Sequence, residues 1–331
     1  MLTRFTSTGA TRVIVTGILC LSAGVVPAAQ REHSGTETFA APDGTRVVID
    51  TATVDIRLRA ADVTGIEVAT ELRISGVGEE RAERFISSHI PTTEVTDGRI
   101  TITVNPGRLG FLGLGTLTAR ARLGFLMPSH TTPDITTTGG SISVRGDFPN
   151  ARPLYLRTAT GDMELVGAAA AVDIRSASGD ARLELIRPLD RFFARTSSGN
   201  LSLSGGAREV HADTASGSIW MDNLSGNAEV VTSTGRITLT WDRLDSENRV
   251  IVRSDSSRIR LTLPEGVSPR GSLRSIGGNI RSDFPGTVNE AGDTITLSGD
   301  GPEIMAESAS GDITLEAGTW WGGTANDEPS G

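Results

Sequence analysis

Hydrophobic and polar residues alternate in short runs along most of this chain, and the runs recur on either side of a Ser/Thr-rich bend. Residues 214–221 (Thr-Ala-Ser-Gly-Ser-Ile-Trp-Met) are one example, with Ile219 and Met221 two positions apart after the glycine. Ala228 and Val230 keep the same spacing ahead of the next bend. A period of two places such residues on one face of a β-strand. The pattern therefore predicts pairs of short strands joined by bends.

The phrase around the bend recurs nine times, and we call its fourth residue the pivot. The steps between successive pivots are 18 to 22 residues, except for a final step of 33. That long step contains a partial copy of the phrase at residues 292–297. The pivots are Gly140, Gly161, Gly179, Gly199, Gly217, Gly235, Ser257, Gly278 and Gly311.

A unit of about twenty residues with two strands is typical of one coil of a parallel β-solenoid. We therefore predict an all-β fold, a parallel β-solenoid (β-helix-like) of about eight or nine coils. Successive antiparallel hairpins in a sandwich are the alternative, but they would not place the Ser-x-Ser-Gly phrase at one phase of every unit. Eight pivots are glycine, which suits a bend with unusual backbone angles or close backbone approach.

Ser or Thr stands three residues before the pivot in all nine copies, from Thr137 to Ser308. In stacked coils equivalent residues lie above one another at about 4.8 Å, so identical side chains form ladders. The hydroxyl groups of this ladder are expected to bond along the stack or to the backbone of the bend.

The N-terminus has the features of a secretory signal peptide over residues 1–28. Arg4 and Arg12 precede or flank an apolar run over residues 13–26, and small residues follow it. About fourteen apolar residues are too few for a comfortable membrane span, which needs roughly twenty. A retained N-terminal anchor is the alternative. The single cysteine, Cys20, would be lost on cleavage, so the mature chain would contain no disulfide.

Changes in composition and in the pattern of apolar residues divide the rest of the chain into four further regions. Residues 29–105 are predicted to be a β-rich capping region with one short helix near residues 79–88. Residues 106–130 form a glycine-rich apolar connector, which packs as an irregular loop or contacts a membrane or partner. Residues 131–317 hold the solenoid repeats. Residues 318–331 combine a cap at Trp320 and Trp321 with a disordered tail.

Composition and charge exclude several classes of function. Glycine accounts for 39 of 331 residues, aromatic residues for 4%, and the net charge is −9. Removal of residues 1–28 deletes two arginines and no acid, so the mature charge would be −11. Such a charge repels nucleic acid, so no nucleic-acid partner is expected. The shortage of aromatic residues agrees with a narrow aliphatic interior.

Candidate catalytic and metal-binding residues do not form a recognisable set. Asp162 and Asp180 follow successive pivots, where stacked carboxylates resemble a glycosidase pair, but Gly-Asp is ordinary bend chemistry. His211, Asp213 and Ser216 are close in sequence without an oxyanion site. We therefore predict no catalytic residue, no metal and no cofactor.

The outward position four residues before the pivot suggests a surface contact. It carries Arg157, Arg175 and Arg195 in three successive repeats. These residues predict either recognition of an anionic glycan or partner, or a charged face that prevents lateral aggregation. Trp220 is also outward and would suit stacking against a sugar.

The repeated Ser/Thr-x-Ser-Gly-Asp-Ile-x-Leu phrase behind a signal peptide resembles a bacterial family of "putative adhesins", a domain of unknown function with β-strand repeats. The resemblance covers roughly residues 36–317. It implies an extracytoplasmic, right-handed β-solenoid without known catalytic residues. Ser257 at a pivot and the glycine-rich residues 107–115 depart from the family pattern.

Together these observations predict an exported, non-enzymatic cell-envelope protein that acts through surface contacts, as an adhesin or a scaffold. It would be periplasmic, at the cell surface or secreted, and its partner would be an envelope protein or a glycan. A carbohydrate-active enzyme or glycan-binding module on a β-helix is one alternative. An envelope-stress accessory protein is another.

Overall fold

The computed structural model describes residues 30–104, 118–149 and 152–318 of the chain. The chain divides into two compact units, residues 1–166 and 167–331, and the boundary falls within one strand. Both units are built almost entirely from β-strands, most of them in long parallel sheets. The prediction of an all-β fold is therefore confirmed, and the parallel sheets are consistent with a β-solenoid.

The first unit contains one helix among its described residues, α1 at Glu79–His89. Its strands are β1 Arg31–Ala40, β2 Arg46–Thr51, β3 Asp55–Ala61, β4 Gly65–Ser75, β5 Thr92–Thr96, β6 Arg99–Val104, β7 Thr118–Pro128, β8 Thr132–Thr137, β9 Ile142–Phe148, β10 Leu154–Thr160 and β11 Met163–Ala169.

These strands form two sheets within the first unit. The first sheet runs in the order β1-β4-β7-β3-β9-β11, and the second in the order β10-β8-β2-β6-β5. The pairs β3–β7, β3–β9, β2–β6, β2–β8 and β10–β8 are parallel. Antiparallel pairs occur at the outer ends, where β1 pairs with β4, β4 with β7, and β5 with β6.

The second unit repeats the pairing of two strands around a bend. Its strands are β12 Ala171–Ser178, β13 Ala181–Leu185, β14 Leu189–Ser198, β15 Leu201–Ser204, β16 Ala207–Ser216, β17 Ile219–Leu224, β18 Asn227–Thr234, β19 Ile237–Trp241, β20 Arg249–Ser254, β21 Ile259–Leu263, β22 Arg270–Ser275, β23 Ile280–Ser282, β24 Gly286–Val288, β25 Thr294–Ser298, β26 Glu303–Ser308 and β27 Ile313–Ala317.

In this unit the first sheet runs β13-β15-β17-β19-β21-β27-β23. The second sheet runs β12-β14-β16-β18-β20-β26-β22-β25-β24. Neighbouring strands in these two orders are parallel except at one end of the second sheet, where β25 lies antiparallel to both β22 and β24. The partial copy of the phrase at residues 292–297 is therefore not a further repeat. It lies mostly in β25, which runs in the opposite direction to the repeat strands.

The order of strands in space departs from their order along the chain in each unit. In the first unit β2 lies between β6 and β8, and β3 lies between β7 and β9. In the second unit β26 lies between β20 and β22, and β27 between β21 and β23. The region predicted as a cap, residues 29–105, thus supplies inner strands as well as edge strands. The alternation at Val47 and Ile49 gives β2 the same buried face as a repeat strand.

Several predicted features fall on residues outside the described ranges. These are the signal peptide at residues 1–28, residues 106–117 of the connector, and Trp320 and Trp321. The remainder of the predicted connector includes β7, which joins the first sheet because Ala121, Leu123 and Phe125 present a buried face.

Glycine is required at most pivots because the backbones of adjacent repeats approach closely there. Gly217 has a φ of 141°, and a Cβ atom on it would lie 2.1 Å from the carbonyl oxygen of Gly199. The same clash with a neighbouring backbone oxygen would occur at Gly140, Gly161, Gly199, Gly235, Gly278 and Gly311. Real Cβ atoms do not make such contacts, so a side chain there would force the repeats apart.

The hydroxyl ladder bonds to the backbone of the bend rather than to itself. Thr214 donates to the carbonyl oxygen of Ser216, and four other repeats make the equivalent bond at 2.8 to 3.1 Å. Near the C-terminal end the direction changes, since Ser254, Ser275 and Ser308 accept the N–H of the pivot at 2.8 to 3.0 Å. The recurring Ser or Thr therefore adds a side-chain hydrogen bond to the backbone of the bend.

The residue after the pivot forms a second ladder. Asp180 Oδ1 accepts the N–H of Asn200 at 2.8 Å, and Asn200 Oδ1 accepts the N–H of Ser218 at 2.9 Å. Ser218 Oγ in turn accepts the N–H of Arg236 at 3.4 Å. Asp, Asn and Ser can each occupy this position because each offers an acceptor oxygen that the N–H of the next repeat can reach.

One carboxyl group in the second unit lacks full hydrogen bonding. Asp222 is 1% exposed and lies beside a bulge in β17, where Asn223 has a φ of 54°. Its Oδ1 accepts the N–H of Gly205 at 3.0 Å, while its buried Oδ2 has no partner. Burial raises the pKa of the Asp222 carboxyl, and hydrogen bonds from Gly205, from its own backbone N–H and from Ser204 oppose this only in part.

We expect Asp222→Asn to stabilise the protein at pH 8 by about 1 kcal/mol, because the amide removes a buried negative charge while its oxygen still accepts the N–H of Gly205. A raised folded-state pKa means that the carboxyl favours folding when protonated, and this contribution is lost as the pH rises through that pKa. The gain in melting temperature should therefore be clear at pH 8 and small at pH 4. Thermal unfolding of both proteins at the two pH values tests this, and an equal gain at both would contradict it.

Candidate anion-binding site

A cluster of arginines lies on the outer face of the second sheet in the first unit. On β10 the side chains of Leu154 and Leu156 are buried, so Tyr155 and Arg157 point outward. The register aligns Tyr155 with Asp134 of β8, and Val48 of β2 with the same aspartate. Three strands from distant parts of the chain thus bring their outward side chains together.

Asp134 organises two of these arginines. Its Oδ2 atom lies 2.6 Å from Arg46 Nη2, and its Oδ1 atom lies 2.7 Å from Arg157 Nη1. The Asp134 side chain is only 11% exposed, whereas the side chains of Arg46 and Arg157 are 41% and 31% exposed. The guanidinium carbon of Arg157 also lies 4.7 Å from the centre of the Tyr155 ring. Each arginine is therefore held at one side and open to solvent at the other.

These groups border a pocket of about 360 Å³, which we call the Asp134 pocket. Its lining consists of Arg46, Thr132, Arg152, Pro153, Tyr155 and Arg157. Three arginines line it, and Asp134, which is bonded to two of them, supplies one opposing charge. The surplus positive charge and the fork-shaped donors suit a carboxylate, sulfate or phosphate group. Tyr155 and Pro153 add an apolar wall.

A family model describes most of the chain. The Toastrack DUF4097 model matches residues 45–316. The chain belongs to the Toastrack DUF4097 family. The predicted resemblance is confirmed at this level, although the match does not single out the repeated phrase.

Solved structures similar to this Toastrack chain have low sequence identity to it. One is named "putative adhesin" from Bacteroides fragilis, 13% identical with a TM-score of 0.41, covering 86% of this chain and 96% of that chain. Another is named "Putative lipid binding protein" from Parabacteroides distasonis, 12% identical with a TM-score of 0.40, covering 86% and 97%. These values are too low to transfer a function. A comparison with curated proteins found no match.

Arg175 and Arg195 lie in the second unit of the Toastrack chain, and each is paired with an acid. Arg175 bonds twice to Asp173, at 3.1 and 3.3 Å, and Arg195 bonds to Asp213 at 3.2 Å. Both guanidinium groups lie within 6 Å of the Phe193 ring, which stacks on His211 at 5.1 Å. This surface carries balanced charge, in contrast to the Asp134 pocket.

Trp220 lies on β17, where its register neighbours are Ser202 and Thr238. The side chain is half-buried against the sheet. Neither neighbour is aromatic, so the register supplies no second ring for a sugar-stacking groove at this position.

The other groups considered for chemistry have structural partners. His211 Nδ1 lies 3.4 Å from Glu229, and Asp213 bonds to Arg195, so these two do not form a relay. His89 is buried at the end of α1, where its Nδ1 atom lies 2.8 Å from the Phe85 carbonyl oxygen and burial lowers its pKa.

Within residues 30–104, 118–149 and 152–318, no three His, Cys, Asp or Glu residues cluster so as to hold a metal ion. Over the same ranges, no helix has the length and apolar character that crossing a membrane requires.

Sequence reasoning found Arg157 but missed Arg46, Asp134 and Arg152. Asp134 stands 88 positions from Arg46 and 23 from Arg157 in sequence. Arg157 could be identified because it stands four residues before a pivot. Arg46 precedes the first repeat, so its position cannot be related to a pivot. Only the insertion of β2 beside β8 brings Arg46 to the pocket.

Proposed function

We propose that this protein is an exported, non-enzymatic cell-envelope protein that binds an anionic glycan in the Asp134 pocket. The observation that carries the proposal is a pocket lined by three arginines, two of which are bonded to the buried carboxylate of Asp134. Membership of the Toastrack DUF4097 family supports a non-enzymatic role. The features of residues 1–28 support export.

The proposal includes the finer features that the sequence predicted. Residues 1–28 would be removed as a signal peptide, and the strand pairs would wind as a right-handed solenoid of about eight or nine coils. The recurring Ser/Thr-x-Ser-Gly phrase would be the mark of its bends.

A glycan is the ligand class that the pocket favours. Pro153 and Tyr155 offer flat apolar surface beside the guanidinium groups, as sugar rings with an acidic substituent require. The net charge of −9 would repel a large acidic polymer at long range, so binding depends on the local arrangement of arginines. Salt should weaken binding because the arginines are partly exposed.

The experiment uses protein purified from the envelope fraction, whose intact mass also shows whether residues 1–28 have been removed. Calorimetric titration with oligogalacturonate is expected to show binding, and neutral malto-oligosaccharide none. Arg157→Gln and Arg46→Gln should each weaken binding about tenfold, as the loss of one charge-assisted bond implies. Arg182→Gln, an exposed ion-paired arginine of the second unit, is the matched control.

Two further variants distinguish a shaped pocket from simple charge attraction. Arg175→Gln and Arg195→Gln should leave binding unchanged, because those arginines are neutralised by their own acids. Asp134→Asn should weaken binding although it raises the positive charge, since the two arginines lose the carboxylate that orients them. Stronger binding by Asp134→Asn, or equal losses at all arginines, would contradict the proposal.

A further inference from the structure

A second concave surface lies on the first sheet of the first unit. It has a volume of about 790 Å³ and is formed by outward residues of β3, β4, β7, β9 and β11 together with the bend at Ser141. We call it the Arg57 groove. The charged side chains that line it are Asp55, Arg57, Arg59, Glu67, Arg145 and Glu164.

Strand register separates the charges across the groove. Arg59 of β3 and Glu67 of β4 are both aligned with Leu126 of β7, one on each side. In the adjacent row, Arg57 and Ala69 flank Gly124 in the same way. The groove therefore has arginines on one side, an acid on the other, and an uncharged floor between them.

Three of the six charged side chains have bonds within the groove. Arg145 Nη2 lies 3.2 and 3.0 Å from the two oxygens of Glu164, which also accepts the hydroxyl of Ser143 at 2.9 Å. Asp55 Oδ1 accepts the N–H of Ser141 at 3.2 Å. These bonds hold Arg145, Glu164 and Asp55 in place as walls of the groove.

The other three charged side chains remain available to a ligand. Arg57, Arg59 and Glu67 are exposed, and in the described part of the chain none of them makes an ion pair or a hydrogen bond through its side chain. Arg59 is also the register neighbour of Arg145 on the adjacent strand. The guanidinium group of Arg145 is bonded to Glu164, whereas Arg59 has no such acid among the described residues, and a bound carboxylate would supply one.

The floor is open because Gly124 has no side chain. A Cβ atom on Gly124 would lie 3.7 Å from the Ala69 Cβ atom, which is ordinary contact. A larger side chain would therefore fit the backbone and would occupy the space that a ligand needs. This makes Gly124 a position at which the groove can be closed without disturbing the sheet.

We propose that the Arg57 groove binds a short peptide with free termini, with its carboxylate at Arg57 and Arg59 and its ammonium group at Glu67. Two strand spacings separate Arg59 from Glu67, roughly 10 Å between Cα atoms. An extended chain rises about 3.4 Å per residue, so a tripeptide spans the same distance. This site is independent of the Asp134 pocket, whose ligand is an anion without an ammonium group.

The test uses three probes with the purified full chain, followed by nuclear magnetic resonance titration. Triglycine carries both charges, N-acetyl-triglycine only the carboxylate, and triglycine amide only the ammonium group. Triglycine should bind at least about tenfold more tightly than either one-charge form, as the loss of one ionic contact implies. Gly124→Val should abolish binding of all three.

Matched substitutions assign each charge. Glu67→Gln should lower the affinity for triglycine to that for N-acetyl-triglycine. It should leave the affinity for N-acetyl-triglycine unchanged. The double substitution Arg57→Gln with Arg59→Gln should lower the affinity for triglycine to that for triglycine amide, and should leave the affinity for the amide unchanged. Arg99→Gln, an exposed arginine on the second sheet of the same unit and outside the Arg57 groove, should change nothing.

Three results would overturn the inference: no binding of triglycine, equal binding of triglycine and its acetylated form, or no effect of Glu67→Gln. Circular dichroism confirms that each variant is folded. Because the variants of the Asp134 pocket are not used here, failure of this inference leaves the proposed glycan site untouched, and the reverse also holds.

Discussion

Gly217→Ala is expected to lower the free energy of unfolding by about 4 kcal/mol or more, a loss of the size that severe steric clashes cause. The added methyl group would lie 2.1 Å from the carbonyl oxygen of Gly199 and 2.7 Å from its carbonyl carbon. Neither atom can move alone, because β15 and β17 are joined in register on one side of the bend and β14 and β16 on the other. Relief of the clash therefore requires separation of two repeats.

Gly266→Ala is the matched control for this prediction. Gly266 also has a positive φ, at 81°, but nothing lies within 4 Å of the position its Cβ would take. Its substitution should cost only the backbone strain, about 1 kcal/mol. Urea denaturation followed by far-UV circular dichroism measures both. Equal losses would show that backbone angle, rather than contact between repeats, fixes glycine at the pivot.

Trp241→Ala is expected to cost about 3–5 kcal/mol, the usual range for removing a large buried aromatic residue. Trp241 ends β19 and is 1% exposed, among the largest fully buried side chains of the described residues. Its indole N–H donates to the carbonyl oxygen of Gly226 at 3.0 Å. The substitution thus leaves a cavity in a thin aliphatic core and removes the partner of a buried carbonyl.

Two variants separate these contributions. Trp241→Phe keeps most of the ring volume and loses the hydrogen bond, so a cost of about 1–3 kcal/mol is expected. Trp220→Ala removes the half-buried, outward tryptophan of β17 and should cost less than either. A loss for Trp241→Ala no greater than that for Trp220→Ala, measured by urea denaturation, would refute a core role for Trp241.

The insertion of some strands out of chain order decides which strands lie at the edges of the sheets. In the second unit, the last strands along the chain, β26 and β27, lie inside the sheets, and antiparallel strands β24 and β25 end the second sheet. In the first unit, β1, β4 and β5 play the corresponding part. Changing strand direction at an edge interrupts the repeat that another chain would have to match, which opposes end-to-end aggregation.

Both proposed sites depend on the same insertion in the first unit. The Asp134 pocket needs β2 beside β8, and the Arg57 groove needs β3 between β7 and β9. The groove also needs Gly124 in β7, a strand that lies wholly within the predicted connector, residues 106–130. Neither site therefore follows from the repeats alone, although each is built from outward positions of ordinary strands.

The sequence alone determined the local features of this protein. A period of two decides which side chains are buried, as at Ile237 and Leu239, because a strand directs alternate residues to opposite faces. The recurring Ser-x-Ser-Gly phrase determined where the chain bends. The hydroxyl group bonds to the backbone of its own bend, and the glycine leaves room for the backbone of the neighbouring bend. These features lie within a few residues, so the pattern of one sequence is sufficient to find them.

Only the tertiary structure decided where the strands inserted out of chain order lie. Strands with the same alternation can pair in many orders, because backbone hydrogen bonds do not distinguish one such strand from another. The positions of β2 between β6 and β8, and of β26 between β20 and β22, depend on packing of the whole sheet. Arg46 and Asp134 are therefore polar surface residues in the sequence, and they become a site only when distant strands lie side by side.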